Sequence, residues 1–376
     1  MSTSPAPAAK EARLHALDGL RGIAAVAVFF FHAPLLDPLP SWMRLAITVS
    51  PLGALFNGPG AVHVFFVLSG YVLALTLQSD DRAGRLPRYY VRRIFRIHPP
   101  YMAAVLLAFA VSGMVAGIPH ENLDLAWGGV PASRLPIALA FPSMAFGLLP
   151  VGWSLFVEMA MSALFPLLVW LARRVHPAVP LALSMLFLSH LDPRLSFLRF
   201  TIDFALGLVL RLETDAIARR VRALPAAAPA LAALVGLTLL QAPLLGSLAT
   251  LGDVRLERGH TPLAVTVFAL AAGLLVVGTI HSPLLQRWLS LPLARFFGRV
   301  SYSFYLVHET VLLALSVLAS AWAGSVAFAV GITLVGFAVS VAASELGWRL
   351  VEAPSIGAGR ALIRAGGALF GGARAR

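Results

Sequence analysis

The sequence predicts an all-α polytopic membrane protein, a bundle of about ten transmembrane helices with both termini in the cytoplasm. Of the 376 residues, 59% are hydrophobic and only 12% are charged, whereas a soluble domain carries about 25% charged residues. The apolar residues are gathered in separate segments, most of them close to the roughly 20 residues that a helix needs to cross a bilayer. Lipid is therefore the solvent that suits this chain.

Apolar segments alternate with short polar loops along the chain. The predicted spans are residues 17–36, 61–77, 101–117, 151–172, 178–191, 197–212, 225–245, 261–280, 301–321 and 324–350. We expect three regions: a disordered tail at 1–14, a membrane-embedded domain over 15–354 that contains all of these spans, and a basic cytoplasmic tail at 355–376. The longest loop, 118–150, has a second half apolar enough to dip into the membrane.

The orientation follows from arginine, which carries nearly all of the net charge of +12, since Lys10 is the only lysine. In a soluble protein this charge would suggest nucleic acid, but here the arginines cluster between apolar segments, where the positive-inside rule places them. With the N-terminus inside, the outer side keeps only Arg44, Arg134, Arg194, Arg199, Arg255 and Arg258.

The absence of cysteine excludes disulfides, thiolate metal sites and a cysteine nucleophile.

The first predicted helix carries Arg21 and His32, eleven residues apart. That spacing puts both on one face, about 16 Å apart along the axis. If Arg21 lies at the cytoplasmic edge, His32 lies near the middle of the membrane, where an ionisable group usually faces a cavity or a partner. The alternative is an anchoring arginine and a histidine bonded to a neighbouring backbone.

An arginine-rich segment follows the second predicted span. If it is helical, Arg88, Arg92 and Arg96 stack at intervals of four, with Arg93 beside them. Such a row at the cytoplasmic mouth of the bundle suits a polyanion, such as the phosphates of a nucleotide or of coenzyme A. The alternative is a basic loop that touches anionic lipid headgroups.

Two later segments carry polar groups inside apolar helices. Ser154 and Glu158 are one turn apart, and Glu158 lies about 22 Å from the inner end of its helix, so it is either functional or the partner of an arginine. Tyr305 and His308 share a face with Ser301. His308 reaches nearly the depth of His32, which suggests a polar chamber.

Two single residues are also candidates. Asp203 is expected to neutralise a buried arginine, and His63 lies near the outer end of the second span.

Together these segments resemble the acyltransferase-3 family of integral membrane acyltransferases. The matching residues are Leu17-Asp18-Gly19-Leu20-Arg21-Gly22 with His32, Phe65-Phe66-Val67-Leu68-Ser69-Gly70, Arg92-Arg93-x-x-Arg96 with Pro99, Trp153-Ser154-Leu155 with Glu158 and Pro166, Ser301-Tyr302-Ser303-x-Tyr305-Leu306-x-His308, and Glu352-x-Pro354. They come in the order of the family, over about residues 17–354. Two positions depart from its pattern: Met159 and His63 stand where members often carry an acidic residue.

The resemblance implies a membrane-bound O-acetyltransferase of the bacterial cytoplasmic (inner) membrane. It would take an acyl group, usually acetyl, from acyl-CoA (acetyl-CoA) as donor co-substrate and pass it to a hydroxyl of a sugar, polysaccharide, glycolipid or macrolide-like acceptor. No metal and no nucleic acid are implied, and an oligomer is left open.

The candidate residues then divide into three roles. The catalytic group is His32, Arg21, Glu158, His308 and Tyr305; the coenzyme A group is Arg88, Arg92, Arg93 and Arg96; the acceptor group is Trp153, Ser154, His63 and Ser69. The rival is a proton-coupled transporter or flippase of a glycan, because membrane histidines and a glutamate can relay protons. The absence of an internal repeat speaks against it. A lipid-anchored scaffold would explain the hydropathy but not the histidines.

Overall fold

A computed structural model describes residues 7–35, 40–78, 84–118, 131–140, 147–176, 178–187, 193–248, 262–320 and 324–366. Within these ranges the chain is helical and contains no β-strand, which confirms the all-α prediction. The α-helices are α1 (Pro7–His32), α2 (Ser41–Thr48), α3 (Gly58–Gln78), α4 (Arg85–Val115), α5 (Leu135–Ala140), α6 (Gly152–Arg174), α7 (Ala178–Phe187), α8 (Thr201–Leu212), α9 (Thr214–Arg222), α10 (Ala228–Leu248), α11 (Pro262–His281), α12 (Pro283–Leu289), α13 (Pro292–Ala319), α14 (Val326–Gly347) and α15 (Ala353–Ala365).

Among the described residues, seven helices are long and apolar enough to cross a membrane. They are Glu11–His32, Gly58–Gln78, Arg85–Val115, Gly152–Arg174, Ala264–His281, Pro292–Ala319 and Val326–Ala365, and a shorter apolar stretch occupies Ala228–Gln241. The protein is therefore a multi-pass membrane protein. The predicted spans 178–191 and 197–212 correspond to helices of 10 and 12 residues, so the count of about ten stays a prediction.

The arginine-rich segment is the first half of α4 rather than a loop before the third span. The predicted span began at residue 101, directly after Pro99 and Pro100, and proline inside a helix usually kinks or ends it. Here α4 runs through Pro99 and Pro100 without a break. In a packed membrane helix the carbonyl groups that proline leaves unbonded can find other partners, so the helix continues.

Both predicted tails contain helix. α1 begins at Pro7, inside the segment expected to be disordered. Residues 353–365 form α15, which a five-residue π-helical turn (Trp348–Glu352) joins to α14. A Cβ atom placed on Gly359 would lie 2.8 Å from the Phe95 Cβ, so α15 packs closely on α4. Residues 1–6 and 367–376 lie outside the described part of the chain.

The longest predicted loop is described only in part. Residues 131–140 form a 3₁₀ turn (Ala132–Arg134) and α5, and the Tyr101 hydroxyl donates a hydrogen bond to the Ala138 carbonyl. Residues 119–130 and 141–146 lie outside the described ranges, so a dip of this loop into the membrane stays a prediction.

The chain divides into two compact units. Unit 1 comprises Met1–Phe30, Leu45–Leu75 and Leu164–Ser301, and unit 2 comprises Phe31–Arg44, Thr76–Ala163 and Tyr302–Arg376. The division falls inside α1, α2, α3, α6 and α13. Each unit therefore contains parts of helices that continue in the other.

Unit 1 is built on close backbone contacts at glycine. A Cβ atom on Gly22 of α1 would lie 2.5 Å from the Gly298 amide nitrogen of α13. A Cβ atom on Gly207 of α8 would collide with the Val67 carbonyl oxygen of α3 and lie 2.6 Å from the Tyr71 nitrogen. Small residues allow membrane helices to pack this closely. Gly22 and Gly70 of the family-like motifs thus have packing roles.

Candidate active site

Unit 2 brings His32 and His308 into direct contact. His32 Nδ1 lies 3.0 Å from His308 Nε2, and the two rings meet edge to edge, with their centroids 5.3 Å apart and their planes within 21° of parallel. His308 is fully buried, whereas His32 is partly exposed. Their similar depth could be estimated from the sequence, but their contact could not. The side chains are 276 positions apart in the sequence.

The second ring nitrogen of His308 faces the backbone of its own helix. His308 Nδ1 lies 2.8 Å from the carbonyl oxygen of Tyr305 and 3.2 Å from that of Phe304. The Tyr305 hydroxyl in turn lies 2.7 Å from the Ser154 hydroxyl, and both side chains are buried. The predicted catalytic residues Tyr305 and His308 and the predicted acceptor residue Ser154 therefore lie in one hydrogen-bonded neighbourhood.

One face of α6 presents a row of polar side chains at intervals of four residues: Ser154, Glu158 and Ser162. Glu158 accepts a hydrogen bond of 2.7 Å from Arg93 Nη2. Arg93 also donates to the Ser162 hydroxyl, over 3.1 Å from Nε and 2.8 Å from Nη2. Sequence analysis missed Ser162, although its spacing from Glu158 would have pointed to it.

This pairing gives Glu158 an arginine partner, the alternative that the sequence left open. The two side chains are 14% and 24% exposed for Arg93 and Glu158, so the ion pair is partly shielded from solvent. The hydroxyl groups of Tyr89 and Tyr90 donate to the carbonyl oxygens of Ser162 and Ala163, over 2.8 Å and 3.0 Å. α4 and α6 are thereby held together along two turns.

The other predicted arginines also lie on α4, with different exposure. Arg88 is buried, Arg92 is exposed and Arg96 is intermediate. Because the segment is helical, Arg88, Arg92 and Arg96 follow one another at intervals of about one helical turn, as predicted. Arg92 is therefore the most accessible of these arginines, and Arg93 is paired with Glu158.

Two acidic residues of unit 2 have structural partners that the sequence did not indicate. Glu309 is buried and accepts a hydrogen bond of 3.1 Å from the Val151 amide, next to the first residue of α6. A carboxylate at a helix N-terminus is favourable because the helix dipole is positive there. Glu352, in the π-helical turn, accepts a 2.6 Å hydrogen bond from Ser303. These contacts fix α13 relative to α6 and to the end of α14.

Arg21 lies in unit 1 and has three polar partners. Its Nε donates to the Ser301 hydroxyl over 3.0 Å, and its Nη2 donates to the Gly298 carbonyl over 3.1 Å. Nη2 also lies 2.8 Å from an Asp18 carboxylate oxygen. Arg21 therefore ties α1 to α13 at the point where Gly22 allows their backbones to meet.

His63 of unit 1 pairs with Asp203. His63 Nδ1 lies 2.8 Å from Asp203 Oδ1, and the two side chains are 4% and 0% exposed. The rings of Phe200 and Phe268 have centroids 5.5 Å and 5.2 Å from that of His63. The expectation that Asp203 neutralises an arginine was wrong, because the packing of α3 on α8 presents a histidine to it instead.

Ser69 and Trp153 are partly exposed on α3 and α6. Within the described ranges, no group of three or more His, Asp or Glu side chains is arranged to hold a metal ion.

Comparison with known proteins adds independent information. The sequence profile of the acyltransferase-3 family (acyltransferase domain) matches residues 14–345. The acyltransferase MdmB of Streptomyces mycarofaciens is 32% identical over 169 residues, which cover 43% of this chain and 41% of that protein. Protein 2 in the picA locus of Rhizobium radiobacter is 29% identical over 188 residues, 45% of this chain and 88% of that protein. No solved structure matches.

The match to MdmB spans about two fifths of that relative's length. The family profile, in contrast, covers nearly the whole chain, including α1 with His32 and α13 with His308. The resemblance seen in the sequence motifs is thus confirmed, and the protein belongs to the acyltransferase-3 family.

Proposed function

We propose that this protein transfers an acetyl group from acetyl-CoA to a hydroxyl of a sugar, polysaccharide or related acceptor in the bacterial cytoplasmic membrane. The observation that carries the proposal is the His32–His308 pair, in which a ring nitrogen of a partly exposed imidazole contacts a ring nitrogen of a fully buried one. The family supports a transferase. Acetyl, coenzyme A and the glycan-type acceptor come from the resemblance.

In this mechanism His32 is the general base. Its imidazole takes the proton of the acceptor hydroxyl, and the oxygen attacks the thioester carbonyl. The tetrahedral intermediate collapses, the coenzyme A thiolate leaves, and the thiolate takes the proton from His32. A variant of this route has His32 attack first and carry the acetyl group covalently.

We assign the Tyr305 hydroxyl as the donor to the oxyanion. It donates a 2.7 Å hydrogen bond to Ser154, and its ring centroid lies 5.8 Å from that of His308. In the reaction this O–H would turn from Ser154 to the negative oxygen that forms on the thioester carbonyl and stabilise it. Ser154 and Trp153, at the start of α6, would contact the acceptor.

Phosphate binding falls to the first half of α4. Arg92 and Arg96, with Arg88, supply guanidinium groups suited to the phosphates of coenzyme A. Arg93 holds Glu158 in place through the ion pair. In a ten-span arrangement with both termini inside, these arginines would lie at the cytoplasmic face, where acetyl-CoA is found.

Arg21 has a positioning role in this proposal. It fixes the first part of α1, the helix that ends with His32, by its hydrogen bonds to α13. A one-residue rotation of α1 would turn His32 by about 100° about the helix axis. Arg21 therefore supports the chemistry by setting the register of α1.

The rival function is a proton-coupled transporter or flippase, and the buried His63–Asp203 pair is the observation that favours it. A single experiment separates the two. Protein purified in lipid nanodiscs is mixed with radiolabelled acetyl-CoA, and release of the coenzyme A thiol and label transfer to envelope glycans are measured.

We expect thioester cleavage by the wild type and loss of at least 100-fold in His32→Ala, the lower end of a general base's contribution. The matched control is His15→Ala, which removes a histidine from the same helix. If wild-type protein cleaves no thioester while it moves glycans across proteoliposomes, the transporter is correct. Equal activity in His32→Ala and wild type would remove His32 from the mechanism.

A further inference from the structure

His308 lies between two groups that its ring nitrogens must satisfy differently. Nδ1 faces the carbonyl oxygens of Tyr305 and Phe304, at 2.8 Å and 3.2 Å. Nε2 faces His32 Nδ1 at 3.0 Å. Carbonyl oxygens only accept hydrogen bonds, so His308 Nδ1 must carry a hydrogen atom.

The state of the other nitrogen follows from burial. The His308 side chain is fully buried, and a charged imidazolium there would lose its hydration at a high cost in free energy. The adjacent carboxylate, Glu309, accepts a hydrogen bond from the Val151 amide. A neutral ring with its hydrogen on Nδ1 has a lone pair on Nε2, so His308 is the acceptor in its contact with His32.

The tautomer of His32 is then determined as well. A nitrogen–nitrogen contact of 3.0 Å requires one hydrogen atom between the partners, and only His32 Nδ1 can supply it. A neutral His32 that carries its hydrogen on Nδ1 has none on Nε2. His32 Nε2 is therefore the atom with a lone pair for the acceptor hydroxyl.

We infer that His308 is a positioning residue that holds His32 in the tautomer with a reactive Nε2, with the Tyr305 carbonyl as the third member of the chain. This rests on the proposed function only for its catalytic consequence. The logic is that of the carboxylate in a Ser-His-Asp triad, which orients the histidine and selects its tautomer. Here a neutral imidazole performs the task, so no charge needs to be buried.

The arrangement also assigns distinct tasks to neighbouring groups. With its Nδ1 hydrogen bonded to the backbone and its Nε2 accepting from His32, neutral His308 has no further donor for the developing oxyanion. The Tyr305 hydroxyl donates to Ser154, whose own hydrogen goes to the Val151 carbonyl, so Tyr305 serves the oxyanion by turning its O–H away from Ser154. When His32 takes a proton, its Nδ1–H remains directed at His308, so the imidazolium stays hydrogen-bonded throughout the step.

The first test reads the tautomer without any enzyme assay. Nitrogen-15 spectra of histidine-labelled protein in membranes distinguish protonated from unprotonated ring nitrogens, and His32→Gln identifies the His32 signals by their loss. We expect the wild type to carry hydrogen on His32 Nδ1 and none on Nε2. A hydrogen found on His32 Nε2, with Nδ1 bare, would overturn the proposal.

The second test separates orientation from packing. In His308→Gln the side-chain oxygen can accept from His32 Nδ1–H while its amide donates to the Tyr305 carbonyl; His308→Leu fills the space without an acceptor. We expect mixed His32 tautomers and a loss of about 10- to 100-fold in kcat for His308→Leu, with KM for acetyl-CoA unchanged. His308→Gln should keep the tautomer and recover most of kcat. His15→Gln is the matched control.

Each outcome bears on a separate claim. If the wild type shows no acyl transfer, the proposed function fails, and the nitrogen-15 spectra still decide the hydrogen-bond chain. If His308→Leu transfers acetyl as fast as wild type, or leaves the His32 tautomer unchanged, the positioning role is wrong. Should His308→Leu not fold, the wild-type and His308→Gln spectra decide alone.

Discussion

The described residues include two pairs in which a histidine contacts a second ionisable side chain, one pair in each unit, and their surroundings differ. In unit 2, His32 contacts a second imidazole, and hydroxyls and backbone carbonyls lie nearby together with the rings of Phe31 and Phe304. In unit 1, His63 contacts a carboxylate, and aromatic rings close around it. His32 keeps partial exposure, whereas the His63 side chain is only 4% exposed. The two histidines therefore differ in partner and in exposure.

What surrounds each pair indicates its task. His63 lies four residues before Val67, and Asp203 four before Gly207, where α3 and α8 meet backbone to backbone. A pair on such a contact fastens two helices. His32 instead lies at the end of α1, and in the proposed mechanism its second ring nitrogen is the reactive atom. We therefore expect substitutions of His32 or His308 to change activity and substitutions of His63 or Asp203 to change stability.

The largest effect is expected at His32. In His32→Gln, kcat should fall by about 10²- to 10⁴-fold, or roughly 3–5 kcal/mol in activation free energy, because the general base is lost. The midpoint of thermal unfolding in detergent should stay near that of the wild type. A large drop in this midpoint with kcat per folded molecule unchanged would reverse the comparison.

The next prediction tests whether the His63–Asp203 pair serves only to hold α3 and α8 together. His63→Phe leaves the Asp203 carboxylate buried without its partner, so the free energy of unfolding should fall by about 3–5 kcal/mol. Adding Asp203→Leu should restore most of this loss, because an apolar pair needs no compensation. Denaturant titration in micelles measures both.

Activity of the same double variant makes the test decisive. If the pair only holds α3 and α8 together, the rate of acyl transfer should stay within about threefold of wild type. In activation free energy this is less than the roughly 1.4 kcal/mol that a tenfold change in rate represents. If the stable double variant loses transfer, His63 belongs to the acceptor site, as the resemblance to the family implies. If it loses glycan movement instead, the pair is a proton relay.

A smaller effect is expected where α3 meets α8. Gly207→Ala places a methyl group against the backbone of Val67, Gly70 and Tyr71, which must move apart. Overpacking of this kind costs about 1–3 kcal/mol, visible as a lower unfolding midpoint. Gly331→Ala is the matched control, because nothing lies within 4 Å of its added methyl group. Equal midpoints for the two variants would mean that the contact is loose.

Much of the candidate site could be predicted from the sequence because helical geometry is local. The spacing of Ser154 and Glu158 places them on one face, and the same rule, applied further, would have found Ser162. Glu309 could not be found in this way, since its partner is a backbone amide 158 positions away. The predicted third span began too late, at residue 101, whereas α4 begins at Arg85 and continues through two prolines, which a packed membrane helix tolerates.

Composition and periodicity alone indicated that the chain lies in a lipid bilayer, that it is all-helical and which helix faces carry polar side chains. Each of these properties depends on residues within a few turns of one another. The motif order established the family. Tertiary structure alone decided the partners: Arg93 with Glu158, His63 with Asp203, and His32 with His308, over separations of 65, 140 and 276 residues. A partner depends on how each helix is rotated and packed, and that is set by the whole bundle rather than by any single segment.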